Sequence, residues 1–323
     1  MAITRKTTVI NVAKGRHRGR TSCTKAPALM RPGFALSGCL NEYMLMKRSV
    51  SADTVREAAR LAASYVHSCQ TEDGGYFFAR IPPGSLRDSY FAVVTLHVLG
   101  QQPRRSASLD RFVWSCVEES RSNNGHTLYL SSEMMRISGQ PTDALRPRIQ
   151  SFAESFEIAD GVGNLDTLYV EVVSELEKTL EAVSLLVHSD IPFKRTRVVD
   201  FVLSLLNADG GFGRQGASTL ATTYYAAHIL SLIGYHVRDC QHILSFLKSQ
   251  EERIYFLEDL YYLEATRSIL GEVPWDGEPV VSFVLDCQRT GGGFARARAI
   301  GIPTLEYTCY AVALLKLLGT LES

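Results

Sequence analysis

From Ala52 onward, stretches whose apolar residues recur every three or four positions alternate with short polar turns rich in glycine. That period predicts helices joined by turns, because one helical face returns every 3.6 residues. Three turns share one design: Cys69-Gln70-Thr71-Glu72-Asp73-Gly74-Gly75-Tyr76, Leu206-Asn207-Ala208-Asp209-Gly210-Gly211-Phe212 and Cys287-Gln288-Arg289-Thr290-Gly291-Gly292-Gly293-Phe294. Each follows a helical pattern (Ala52 to Ser68, Thr196 to Leu206, Pro279 to Asp286). Each precedes another (Ser89 to Leu99, Thr223 to Ile233, Thr308 to Leu318) that ends at a glycine, Gly100, Gly234 or Gly319. A terminal glycine suits the left-handed residue that closes a helix.

The same template recovers three degenerate copies. Gly125-His126-Thr127-Leu128-Tyr129 leads into a helix ending at Gly139, Gly163-Asn164-Leu165-Asp166-Thr167-Leu168-Tyr169 into one running through Leu186, and Glu258-Asp259-Leu260-Tyr261-Tyr262 into one ending at Gly271. One hairpin cannot bury its own apolar face, but six can close on one another. The prediction is therefore an all-α protein: an α/α toroid of six helical hairpins in a ring, with inner and outer helix layers, as a single domain over residues 45–323. The glycine pairs do not form a phosphate loop. None fits G-x-x-x-x-G-K-[ST], and none follows a β-rich strand. A tight turn with close backbone approach between neighbouring repeats is the expected use.

Composition sharpens the picture at the N-terminus. Residues 1–41 carry eight Lys and Arg and no acidic residue before Glu42. Such a start suits a transit peptide, a basic arm or a disordered leader; Thr7 to Lys14 shows no amphipathic pattern, which favours the leader. Over the whole chain 34 Lys+Arg balance 34 Asp+Glu, which argues against a nucleic-acid binder. Apolar runs of about ten residues fall short of a membrane span. The seven cysteines are scattered and never form C-x-x-C, so reduced thiols and a cytoplasmic setting are expected, or an organelle if the leader is a transit peptide.

Gln70-x-x-x-Gly74-x-Tyr76 and Gln288-x-x-x-Gly292-x-Phe294 resemble the repeat signature of squalene and oxidosqualene cyclases. Thr223-Tyr224-Tyr225-Ala226 and Thr308-Cys309-Tyr310-Ala311, each following a Gly-Gly-Phe turn, resemble the β subunit of protein farnesyl- and geranylgeranyltransferases. The chain is thus similar, over about residues 50–321, to the terpene cyclase and protein prenyltransferase toroid superfamily. The resemblance implies a barrel around an apolar cavity for an isoprenoid chain. The family's zinc ligands map onto Asp259, Tyr261 and Tyr307, so two of three are replaced and zinc at that site is not expected. Of its diphosphate-gripping residues, Arg253 matches, whereas Phe256 and Thr219 do not. The cyclase Asp-x-Asp-Asp motif is absent, with Asp88 at its last position.

On this alignment the starts of the inner helices ring the cavity mouth with Asp88, His126, Asp166, Thr222, Asp259 and Tyr307, and neighbours add Arg87, Glu258 and Glu306. An Asp at a helix start is also an ordinary cap. Where several acids and an imidazole converge in one cavity, however, the crowded carboxylates would raise one another's pKa and an apolar wall would raise them further, leaving a carboxyl able to protonate an alkene, with aromatic faces to hold the cation. The catalytic candidates are Asp88, His126, Asp166 and Asp259. The same four could instead hold a divalent ion such as Mg. Tyr76, Tyr90, Arg253, Tyr261, Tyr262, Glu306, Tyr307 and Tyr310 are the substrate-binding candidates. The acidic stretch Glu171, Glu175, Glu177, Glu181 reads as a solvated face, or as the seat of a helical protein partner or a second copy. Function then divides between an isoprenoid enzyme using carbocation chemistry, a prenyltransferase with an altered metal site, and an inert toroid that binds or scaffolds.

Overall fold

A computed structural model describes residues 50–120, 124–155, 175–235, 240–273 and 277–321. They fall within one unit, Ser37–Ser323; the proposed leader, residues 1–41, and Asp166 lie outside the described residues. Twelve α-helices occur among them: α1 (Ala52–Ser68), α2 (Leu86–Val98), α3 (Ser106–Glu119), α4 (Gly125–Ile137), α5 (Arg146–Ser155), α6 (Glu175–His188), α7 (Arg195–Ser204), α8 (Leu220–Leu232), α9 (Cys240–Gln250), α10 (Leu257–Ile269), α11 (Gly277–Asp286) and α12 (Leu305–Leu317). The even-numbered helices pack in sequence, α2 on α4, then α6, α8, α10 and α12, and α12 returns to α2. They are the inner ring, and the odd-numbered helices flank them outside. The fold is the all-α toroid that the repeats predict.

Burial explains the layering. α1 buries a single stripe, Val55, Ala58, Ala62, Ala63, Tyr65 and Val66, and shows its charges to solvent, as a peripheral helix should. α8 and α12 are apolar on nearly every side and sit between two layers. Ser51, Ser85, Asn124, Thr219 and Thr304 cap α1, α2, α4, α8 and α12 by accepting from backbone N–H groups of the first turn. All six inner helices end alike. The residue after the C-cap has positive φ (Gly100, Gly139, Asp190, Gly234, Gly271, Gly319), and its N–H and the next close back on the last turn, as Gly100 N donates to His97 O and Gln101 N to Leu96 O.

The Gly-Gly turns hold the repeats together. Gly210 (φ +89) lies so near α9 that a Cβ there would stand 2.0 Å from His242 O, and at Gly292 (φ +89) one would stand 2.3 Å from Leu61 O of α1. The last turn thus meets the first outer helix, where Gln288 Nε2 also donates to Ala58 O at 2.8 Å. The aromatic that follows each turn, Tyr76, Phe212 or Phe294, is fully buried. Its N–H donates to the hydroxyl of Ser89, Thr223 or Thr308 at 2.8, 3.1 and 3.0 Å. Cys69, Cys287 and Cys309 are buried free thiols, and Cys116 is a half-buried one. Among the described residues no helix is long and apolar enough to cross a membrane.

Candidate functional site

The inner ring encloses a cleft of about 120 Å³. Counting back thirteen residues from each positive-φ cap gives Arg87, His126, Glu177, Ala221, Glu258 and Glu306. This is an upper tier, in the first turn of every inner helix. Three residues further on stand Tyr90, Tyr129, Leu180, Tyr224, Tyr261 and Cys309, and one beyond those Phe91, Leu130, Glu181, Tyr225, Tyr262 and Tyr310. Every residue lining the cleft belongs to these three tiers, because positions i, i+3 and i+4 share one helix face.

The next residue along, at about 100° around the helix, faces the turns instead. Asp88 accepts from Phe78 N–H at 3.0 Å through Oδ2 and does not line the cleft; burial raises its pKa, with Glu306 adding to the rise and the Phe78 bond opposing it. Asp259, in the first turn of α10, is likewise outside the lining, its carboxyl pushed up by burial against the pull of Arg296. Tyr307 belongs to this register too, its N–H donating to the Thr304 hydroxyl. Tyr76 is core, with its hydroxyl buried and unpartnered, and Arg253 is exposed in the short turn Glu251–Arg253. Of the sequence candidates, the structure brings His126, Tyr90, Tyr261, Tyr262 and Tyr310 into the cleft and Glu306 to its edge. It leaves Asp88, Asp259, Tyr76, Arg253 and Tyr307 out.

The acids that do line the cleft, Glu177 and Glu181, come from α6, part of the stretch expected to be a solvated face or a partner's seat, of which Glu171 lies outside the described residues. Glu181 is buried, 7% exposed, with Oε1 2.8 Å from His126 Nδ1, the imidazole donating. Burial alone would lower the His126 pKa, but the bond and charge of Glu181 outweigh it and raise it. Burial pushes the Glu177 carboxyl up, and Glu181 pushes it further against the opposing charges of Arg87 and His126. Arg87 Nη2 donates to Glu306 Oε1 at 3.0 Å, and its guanidinium lies 5.7 Å from the centre of the Phe91 ring.

Below this rim the tyrosines form a connected floor. Tyr310 donates to Glu306 at 3.1 Å, so its oxygen accepts from Tyr262 (3.2 Å) and that of Tyr262 from Tyr225 (3.1 Å). Tyr261 stacks on Tyr310 with ring centres 4.7 Å apart. Further along the inner helices lies a second polar cluster: Glu133, 5% exposed, bonds to His188 Nδ1 at 2.6 Å and to Arg136 at 2.7 Å.

Zinc ligation at the family position does not fit. The side chains there are Asp259 and two phenols, one of them Tyr261, which stacks on Tyr310 and has its pKa driven well above the ordinary value by burial, whereas zinc sites are built from Cys, His, Asp and Glu. Among the described residues no group of three or more His, Cys, Asp and Glu is arranged to hold a metal ion. Of the four residues expected as divalent ligands, Asp88, His126 and Asp259 form no such group, and Asp166 lies outside the described residues.

A closed ring of six helix pairs around an aromatic cleft defines the α/α toroid class. The model of the prenyltransferase alpha-alpha toroid domain matches residues 36–136 and 178–323, and the chain belongs to that family. Among solved structures, protein geranylgeranyltransferase-I of Candida albicans, complexed with GGPP, superposes with a TM-score of 0.62 at 14% identity, covering 80% of this chain and 90% of that one. The type II terpene cyclase MstE from Scytonema, in complex with geranylgeranyl dihydroxybenzoate, gives 0.54 at 12% identity, covering 84% and 99%. No curated protein sequence matches this chain at a significant level.

Proposed function

We propose that this toroid handles an isoprenoid in its central cleft and starts carbocation chemistry by protonating an alkene from a rim carboxyl. The observation that carries this reading is Glu177, an acid held toward its neutral form at the edge of a floor of tyrosine rings. A carboxyl whose pKa is raised toward neutrality is the better proton donor at pH 7, and the tyrosine faces would stabilise the cation it creates. The proton moves from Glu177 to the alkene carbon, the π pair forms the new C–H bond, and the carboxylate left behind sits beside His126 and Arg87. The His126–Glu181 pair positions this end of α6. Solved toroids that hold GGPP and a geranylgeranyl benzoate support a prenyl ligand for the fold.

The test is incubation of the purified chain, with and without EDTA, with geranyl, farnesyl and geranylgeranyl alcohols and diphosphates, reading products by mass. A cyclised or isomerised product that persists in EDTA and falls at least 100-fold in Glu177→Gln is expected. Turnover untouched by that substitution would overturn the assignment of the acid. The cleft volume favours a second reading. About 120 Å³ is below the roughly 300–1,000 Å³ common for ligand sites, which suits a protein that grips one prenyl unit without transforming it. Saturable binding with no product under any condition would select that reading.

A further inference from the structure

We propose that the polar end of the ligand is a cation, an amine or ammonium group, and not a phosphate. The proposal rests on the reading above that the central cleft is the ligand site, and it names the class of molecule that enters.

The charges at the rim decide the matter. A diphosphate needs cations able to turn toward it. Each base here is already held by a carboxylate from an inner helix: Arg87 by Glu306 at 3.0 Å, His126 by Glu181 at 2.8 Å, and Arg296 by Glu258 at 2.5 Å. Glu177 adds a further carboxyl to the lining. An incoming phosphate would have to break these charge-assisted bonds and then sit beside the displaced carboxylates, at a cost in every pair. A cation breaks none of them, and its charge at the rim would draw the Glu177 proton away and leave a carboxylate facing it.

The wall is suited to the same sign of charge. Ring faces attract cations through their quadrupole, and tyrosines are half of the residues that line this cleft, Tyr90, Tyr129, Tyr224, Tyr225, Tyr261 and Tyr262 among them. One protein cation already rests on the wall, the Arg87 guanidinium over Phe91. Just beyond the cleft, Arg296 rests on Phe256 at 4.0 Å. The hydroxyl chain adds polarity. Because Tyr310 gives its proton to Glu306, the protons of Tyr262 and Tyr225 point the same way along the chain, which leaves the Tyr225 oxygen at its far end able to accept. About 120 Å³ is well below the roughly 300–1,000 Å³ of common ligand sites. That is room for a small ammonium head or one five-carbon unit, with the remaining chain outside.

The experiment uses the full chain and three ten-carbon probes with one tail, geranylamine, geraniol and geranyl diphosphate, titrated at pH 7 by calorimetry. The amine is expected to bind at least tenfold more tightly than the alcohol, and the diphosphate most weakly. Glu177→Gln and Tyr224→Leu, each checked for an unchanged melting transition, should cut the amine preference to less than threefold. Tightest binding by the diphosphate, or equal binding of all three, overturns the cation assignment and leaves an isoprenoid cleft standing. An amine preference that survives both substitutions overturns its placement in the cleft. No binding by any probe overturns the cleft as a ligand site, and this inference with it.

Discussion

The barrel holds two buried acidic clusters, one above and one below the tyrosine floor, and they treat the same side chain in opposite ways. Above, Glu177 lines a cleft and is pushed toward its neutral form. Below, burial would push Glu133 the same way, yet the hydrogen bonds from His188 and Arg136 outweigh it and hold the group below its ordinary value. Depth is similar; partners differ. A carboxyl whose bonds outweigh its burial stays charged and stabilises the protein, and one whose burial outweighs the charges around it is held toward its neutral form where it lines the cleft.

The largest expected effect would test the lower cluster. Glu133→Gln removes the anion that His188 and Arg136 share and should lower the unfolding free energy by about 2–4 kcal/mol in urea titration; a loss under about 1 kcal/mol would show that the two clusters are alike. The His126–Glu181 pair comes next. A histidine with a raised pKa adds stability that is present in full below its ordinary 6.5 and fades as pH climbs through the raised value. Glu181→Gln should therefore cost about 1 kcal/mol at pH 6, with His126 about one-third exposed, and less at pH 8, read from melting temperatures at both. Tyr310→Phe breaks the hydroxyl chain at its link to Glu306 and should cost about 0.5–1 kcal/mol. The smallest effect is the sharpest. An acid with a raised pKa loses stability as pH rises from its ordinary 4.5, so Glu177→Gln should match the native melting temperature near pH 4 and exceed it at pH 8. A variant less stable at pH 8 would place Glu177 with Glu133.

The architecture was legible because its signals are local. A Gly-Gly turn with its aromatic, and a glycine after each helix, mark the repeats wherever they fall. The site needed the phase of each helix, and one position is a turn of about 100°. Asp88 and Arg87 are neighbours in sequence, yet Asp88 answers to Phe78 in the turn and Arg87 to the cleft. The third repeat hid its register altogether, because Asp190 (φ +52) stands where the others carry glycine. Counting back from that aspartate finds Glu177; aligning on Gly163 found Asp166. Tyr129, Tyr224 and Tyr225 were visible as aromatics, and only the packed ring shows that their rings share one wall.

Gln288 reaching Ala58, 230 residues away, and Gly292 lying against Leu61 have a kinetic meaning. An open array of repeats can nucleate anywhere and grow by neighbours. Here the final turn finds its seat on the first helix only once every hairpin between them is in place. That contact is made late and at long range, which slows folding far more than it costs in equilibrium stability. Neither end of the array needs a polar capping repeat, since each end caps the other. A chain opened between any two repeats and rejoined at its termini should therefore build the same ring, and differ mainly in how soon it closes.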